Sequence, residues 1–211
     1  MMRFILPSWG LGLLGLLTLS ISHPVLASFK DDVSGLYQSL HLEGEVSYHA
    51  FADAYRHFSQ HHSAKPVMML IDYGKPSTEK RFWVINVKTR NVLFRSYVSH
   101  GKNSGNLYAK TFSNRVNSRQ TSLGIYRAAE TYHGKHGYSL RLDGLSEGLN
   151  DKARERAIVI HGADYANPAM IELSGRLGRS WGCPALPTDL SSRVIDVIKN
   201  GTFIYAFSHQ A

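Results

Sequence analysis

Cysteine is nearly absent: the 211-residue chain carries one, Cys183. An intrachain disulfide is therefore impossible, and a Cys₄ or Cys₂His₂ zinc site is excluded with it. Charge is sparse at 19% of residues, and 16 acidic side chains face 24 Lys and Arg, for a net charge of +8. No segment recurs at a fixed period, which excludes repeat architectures. What is present is apolar surface, at 43% of residues. Burying that much offsets the entropy of ordering the chain, so the sequence reads as folded, with the length of one domain plus a modest helical extension.

The first 27 residues read as a secretory signal. Arg3 supplies a short positive start, Trp9 to Leu19 is an uncharged run rich in Leu and Gly, and Val25-Leu26-Ala27 offers a cleavage site after Ala27. The apolar run is short for a spanning helix, so no stable membrane anchor is expected once the leader is removed. The expected organisation is a leader over residues 1–27, a helical extension over 28–65 and a main domain over 66–211. Export, to the periplasm or cell envelope, sharpens the meaning of the lone thiol. It is either a buried small hydrophobe or a nucleophile, because oxidising compartments do not spare idle thiols.

Two helices are expected first. Val33, Leu36, Tyr37 and Leu40 recur at helical spacing, and Tyr48, Phe51, Tyr55 and Phe58 repeat the stripe. His57, His61 and His62 read as a solvated helix end. From Pro66 the pattern turns to strands, over residues 67–73, 81–87, 91–98, 124–131, 138–142, 157–160 and 202–207. Residues 101–122 form a long polar loop of the kind that often carries function. A short charged helix is expected over 150–156, and a longer one begins at a capping Thr188, with Leu190, Val194, Val197 and Ile198 on its apolar face. The fold class is mainly β, a sandwich-like domain with peripheral helices and an N-terminal helical addition.

The chemistry concentrates in Ser180-Trp181-Gly182-Cys183-Pro184. Gly182 lets backbone approach a substrate, and Pro184 lacks an N–H, so oxyanion donors there must come from Gly182 and Cys183. A thiol needs a base to become a nucleophile. Of eleven histidines, His161 and His100 each end a strand and precede a glycine, and spacing alone does not separate them. His133 and His136 lie among glycines and read as a turn, and Asp164 beside Tyr165 as turn or cleft wall. Basic residues are dispersed and no recognised nucleic-acid motif occurs, so no nucleic-acid partner is expected; the positive charge suits anionic envelope polymers.

Four segments taken in order, Val98-Ser99-His100-Gly101, Thr121-Ser122-Leu123-Gly124-Ile125-Tyr126, Ile160-His161-Gly162 and Ser180-Trp181-Gly182-Cys183, resemble the L,D-transpeptidase catalytic domain of bacterial cell-wall enzymes. With Tyr138-Ser139-Leu140-Arg141-Leu142, His161-Gly162-Ala163-Asp164-Tyr165 and the run from Gly175 to Leu186, the chain is most similar to the murein L,D-transpeptidase catalytic-domain-like branch. The resemblance implies Cys183 as nucleophile, His161 as base, the Gly162 carbonyl orienting the imidazole, and the Cys183 and Gly182 amides facing the oxyanion. It implies attack on the bond between a diamino acid and D-Ala in a peptidoglycan stem peptide, through a thioester, with no metal or organic cofactor. Trp181 stands where the commoner branch has His, and Pro184-Ala185 where it has an Arg. Arg176 and Arg179 are then candidates for substrate carboxylates, joined in the pocket by Ser180, Trp181, Tyr165 and His100. If a His161 imidazolium faces the thiol, Cys183 is expected to be partly thiolate near neutral pH.

Overall fold

The computed structural model describes residues 23–61 and 63–208, with side chains from residue 31 onward. The expected leader lies largely outside the described residues, and His62 lies outside them too.

The helical stripes form as the spacing predicts. Helix α1 spans His23–Ser39 and α2 spans Tyr48–Gln60. Val33, Leu36, Tyr37, Leu40 and Phe51 are buried. Ser47 caps α2 by accepting from the Ala50 amide at 3.2 Å, satisfying one of the orphan donors of the first turn. Eight strands follow: β1 Val67–Asp72, β2 Phe82–Asn86, β3 Asn91–Ser96, β4 Gly124–Gly134, β5 Gly137–Gly144, β6 Val159–Gly162, β7 Ala185–Leu186 and β8 Phe203–Phe207. They make one sheet in the order β3-β2-β1-β8-β4-β5-β6-β7. The chain beyond β3 reaches round to β7, where the Ser99 amide donates to the Ala185 carbonyl at 2.9 Å. The two ends of the sheet thus meet, and the mainly β architecture with peripheral helices holds.

Both faces of the central strands are covered, which is why β1 reads as a continuous apolar run rather than an alternating one. Met68, Leu70, Trp83, Ile85, Ile125 and Phe203 face α1 and α2. Met69, Ile71, Phe82, Val84, Ile160 and Leu186 face the other way, onto Val194, Ile195 and Ile198 of α4, Thr188–Ile198. The link between α1 and α2 is also tied to the sheet, since Glu45 accepts from Trp83 Nε1 at 3.0 Å and pairs with Arg95 at 2.8 Å.

Three local expectations are corrected, and one helix is added. Residues 150–156 form turns, not a helix. Asn150 is buried and spends its side chain on Ile125 O and the Ser146 amide, a non-helical alternative for this segment. Thr188 does not cap α4; Pro187 holds that position, and Thr188 Oγ1 donates to Asp164 Oδ1 at 2.9 Å. His57 and His61 are not a solvated end, for their rings pack on Tyr205 and Phe203 at 5.6 and 5.9 Å. A short helix, α3, at Ala169–Ser174, has no counterpart in the sequence reading, its few apolar residues being too short a run to show a period.

Candidate active site

Two neighbouring strands set the site. β6 and β7 run parallel with His161 opposite Ala185, so Cys183, two residues before Ala185, comes to the same end of the sheet as His161. Both side chains line a cleft of about 370 Å³. Its walls are Tyr132, Lys135 and His136 from the β4–β5 hairpin, Arg156, Ala157 and Val159 ahead of His161, Tyr165, and Arg179, Ser180 and Trp181.

The turn carrying Cys183 is held by Ser180. Its Oγ accepts from the Gly182 amide at 3.0 Å and donates to the Cys183 carbonyl at 2.6 Å. Gly182 is required there: its φ is +127°, and a Cβ would lie 2.8 Å from the Gln120 carbonyl. Because Ser180 Oγ occupies the Gly182 N–H, that amide is not free for an oxyanion as the sequence reading expected. The Cys183 N–H finds no acceptor among the described residues and remains the available donor.

His161 Nδ1 lies 2.9 Å from the Gly162 carbonyl oxygen. A carbonyl only accepts, so Nδ1 carries the hydrogen and Nε2 keeps its lone pair. Gly162 permits the close packing of α4 over this turn, since a Cβ would meet Ser191 Oγ at 2.5 Å. The thiol itself donates to the Ala157 carbonyl at 3.6 Å, and no hydrogen bond joins it to His161. Ala157 aims that carbonyl from a left-handed conformation, φ +54°. Such strain in a residue with a side chain recurs at functional sites.

The electrostatics favour a neutral pair. Burial is the largest influence on Cys183 and pushes the thiol up, opposed by the Val159 amide and the Arg156 charge. Burial likewise pushes His161 down, with the Gly162 carbonyl opposing and His136 adding to the lowering. The expected imidazolium–thiolate pair is therefore not favoured at rest. Alkylation of free Cys183 by iodoacetamide should accordingly inflect at or above the ordinary thiol value of about 8.5. A profile inflecting well below that value would restore the ion pair.

The other candidates divide. Trp181, 68% exposed, stands at the rim with the Arg119 guanidinium 4.4 Å from its ring. It separates the cleft from a second cavity of about 540 Å³, and Arg156 and Ala157 border both. Tyr165 lines the cleft with its ring 6.5 Å from that of His161, and burial raises its phenol. Arg179 lines the cleft but spends Nη1 on the Gly105 and Lys102 carbonyls, bracing the 101–122 loop. Arg176 donates to Leu177 O and is not among the cleft residues. His100 is also outside it: it is 1% exposed, and its Nδ1 accepts from Arg81 Nη2 at 2.8 Å.

Six cleft residues, Tyr132, Lys135, His136, Arg156, Ala157 and Val159, are not among those expected from the sequence, and two of them shape the site most. Arg156 ends the segment expected as a short charged helix; it donates to Ser113 O, Ser118 Oγ, Gln120 O and Ser122 Oγ at 2.5–3.2 Å, closing the long loop beside the thiol. His136 sits in the turn that the glycines predict, and its ring stacks on His161 at 4.3 Å and 24°. The two-residue spacing between Gly134 and Gly137 marked the hairpin, but nothing in the sequence said which histidine its tip would meet.

Residues 42–207 match the model of the L,D-transpeptidase catalytic domain family, and the chain belongs to that family. Similar solved structures include an L,D-transpeptidase from Mycobacterium smegmatis, 17% identical with a TM-score of 0.42, covering 67% of this chain and 58% of that one. L,D-transpeptidase 3 from Mycobacterium tuberculosis is 13% identical with a TM-score of 0.43, covering 67% and 61%. The helical cell shape determining protein Pgp2 from Campylobacter jejuni is 15% identical with a TM-score of 0.44, covering 70% and 49%. The chain thus spans about half to three-fifths of the length of these proteins. A search among curated proteins returns no match.

Proposed function

We propose that the chain is an exported cysteine acyl-transferase of the bacterial cell envelope, acting on peptidoglycan stem peptides. The observation that carries this reading is the single thiol of a family catalytic domain sharing a cleft with a histidine whose tautomer is set by the Gly162 carbonyl. In the first step the thiol leaves the Ala157 carbonyl and turns to His161. Nε2 takes the proton as sulfur attacks the carbonyl carbon between the diamino acid and D-Ala. The Cys183 N–H faces the oxyanion, an interaction worth roughly 3–4 kcal/mol in well-studied cases. Collapse breaks the C–N bond, His161 returns the proton to the leaving D-Ala amine, and a thioester remains. An amine of a second stem then attacks, His161 accepts its proton, and the thiol is regenerated by that same proton.

The cleft suits such a donor: Lys135, Arg156 and Arg179 line it and no carboxylate does, among the described residues. The same site used with water gives an L,D-carboxypeptidase or hydrolase, and a silent wall-binding module would keep the scaffold without turnover. Incubation with purified muropeptides and mass spectrometry separates these. Dimers lacking the terminal D-Ala mark transfer, loss of D-Ala without dimers marks water, and no change marks the silent module.

The base assignment has its own test, detection by intact mass of a carbapenem adduct on Cys183. His161→Ala should acylate at least a hundredfold more slowly, within the usual 10²–10⁴ range for a general base. His100→Ala, assayed where it remains folded, should acylate nearly as fast as wild type. Equal losses in both variants would remove the assignment.

A further inference from the structure

The His161 imidazole is fixed along one edge only by its bond to Gly162 O, which leaves the ring plane free to rock. Two more contacts close that freedom. Tyr165 meets it edge-on at 75°, and His136 covers it nearly parallel, with ring centroids 4.3 Å apart. His136 reaches this position because Gly134 pairs with Gly137, making Lys135-His136 the two-residue tip of the β4–β5 hairpin. β5 then pairs with β6 so that Ser139 lies opposite His161, and the tip folds over the ring from three residues before.

We propose that His136 is a positioning residue, holding the His161 ring plane by stacking and keeping it in its proton-accepting form by like charge. This rests on the acyl-transfer reading above and adds a residue to it. The physical argument is short. Two stacked imidazoles cannot both hold protons cheaply at this distance, so a proton on His136 disfavours one on His161. Other groups facing the ring do not cancel this. The hairpin adds Tyr132 and Lys135, the strand side Arg156, the loops Tyr165, Arg179 and Cys183, and none carries a carboxylate. The downward push on His161 from His136 agrees in direction.

The test compares His136→Phe, which keeps a ring without a charge, with His136→Ala, which keeps neither. The tip is exposed, so both variants should fold. Without substrate, the ¹⁵N resonances of His161 are titrated. Its midpoint should rise in both variants, by about half a pH unit, since the like charge is gone. With muropeptide, the acid limb of kcat/KM should move to higher pH in both variants. His136→Ala should also lose roughly tenfold in kcat with little change in KM, because the base is no longer aimed, and His136→Phe should recover most of that loss. An unmoved His161 midpoint together with wild-type kcat in both variants would overturn the proposal, as would a rise in KM at unchanged kcat. Should the wild-type protein release no D-Ala at all, the peptidoglycan reading fails, and the titration still decides the role of His136.

Discussion

Cys183→Ala is expected to abolish D-Ala release from muropeptides, by roughly a thousandfold or more, since removing a nucleophile leaves only what binding and the oxyanion donor supply. The fold should survive. Cys183 packs only at the margin of the inner core, and Ser180 still holds the turn through the backbone of residues 182 and 183. The unfolding free energy should change by about 1 kcal/mol or less, as for a small, partly buried truncation. The substitution also removes the only thiol, so intact-mass spectra should show no adduct with any acylating probe. Retention of near wild-type turnover would place the chemistry elsewhere.

The largest effect on stability is expected at Arg81, which has no part in the cleft. Its side chain is fully buried and donates to Val98 O through Nε and Nη2, to Lys75 O, and to His100 Nδ1, all within 2.8–3.1 Å. Burial pushes Arg81 down to about 10, partly offset by Tyr73 and Asp72, so the guanidinium stays charged. Burial, and next the Arg81 charge, hold His100 neutral down to about 3. Arg81→Met fills similar volume but orphans two buried acceptors, Val98 O and His100 Nδ1, and a part-buried one, Lys75 O, so urea unfolding should show a loss of roughly 2–4 kcal/mol. The wild-type protein should show a related acid sensitivity. His100 titrates far lower folded than unfolded, so its contribution is complete above about pH 6.5 and is lost as pH falls toward 3. Between pH 7 and pH 5 the loss should be about 2 kcal/mol. No loss in Arg81→Met would mean that the segment at 98–100 is held by other contacts.

The legible part of this molecule is the part written in periodicity and in scarce residues. The stripes of α1 and α2, the apolar run of β1 and the strand patterns of β2 to β5 are local, and each element formed where its pattern lay. A thiol with no partner could be singled out because nothing competes for its role, whereas its base narrows only to His161 or His100 until the family resemblance chooses His161. What could not be read depends on which chain segments meet. His100 and His161 end strands in the same way, and only the fold sends one into the core against Arg81 and the other into the cleft. Arg156 belongs to a stretch that reads as a charged helix, and only the fold brings the 113–122 backbone onto it. Ser180 looked like a pocket residue, and is spent on shaping the turn that holds Cys183. The helix expected at 150–156 failed because a buried Asn150 has better partners than its own backbone.

The last strand in the chain, β8, is not the last in the sheet. It lies between β1, to which it is parallel, and β4, so that without it the halves of the sheet touch only through the short bridges Ser99–Ala185 and Gly101–Ser180. A nascent chain can build the β1–β2–β3 and β4–β5 hairpins early, from neighbouring residues, but these lack their ladder-length junction until residues 203–207 arrive. The long-range pairing that closes the fold is then also the slow step. Any product truncated ahead of β8 should keep the thiol and the histidine together on the β6–β7 side but lack the strand that joins that side to β1, leaving synthesis of the final strand as the event that completes the sheet.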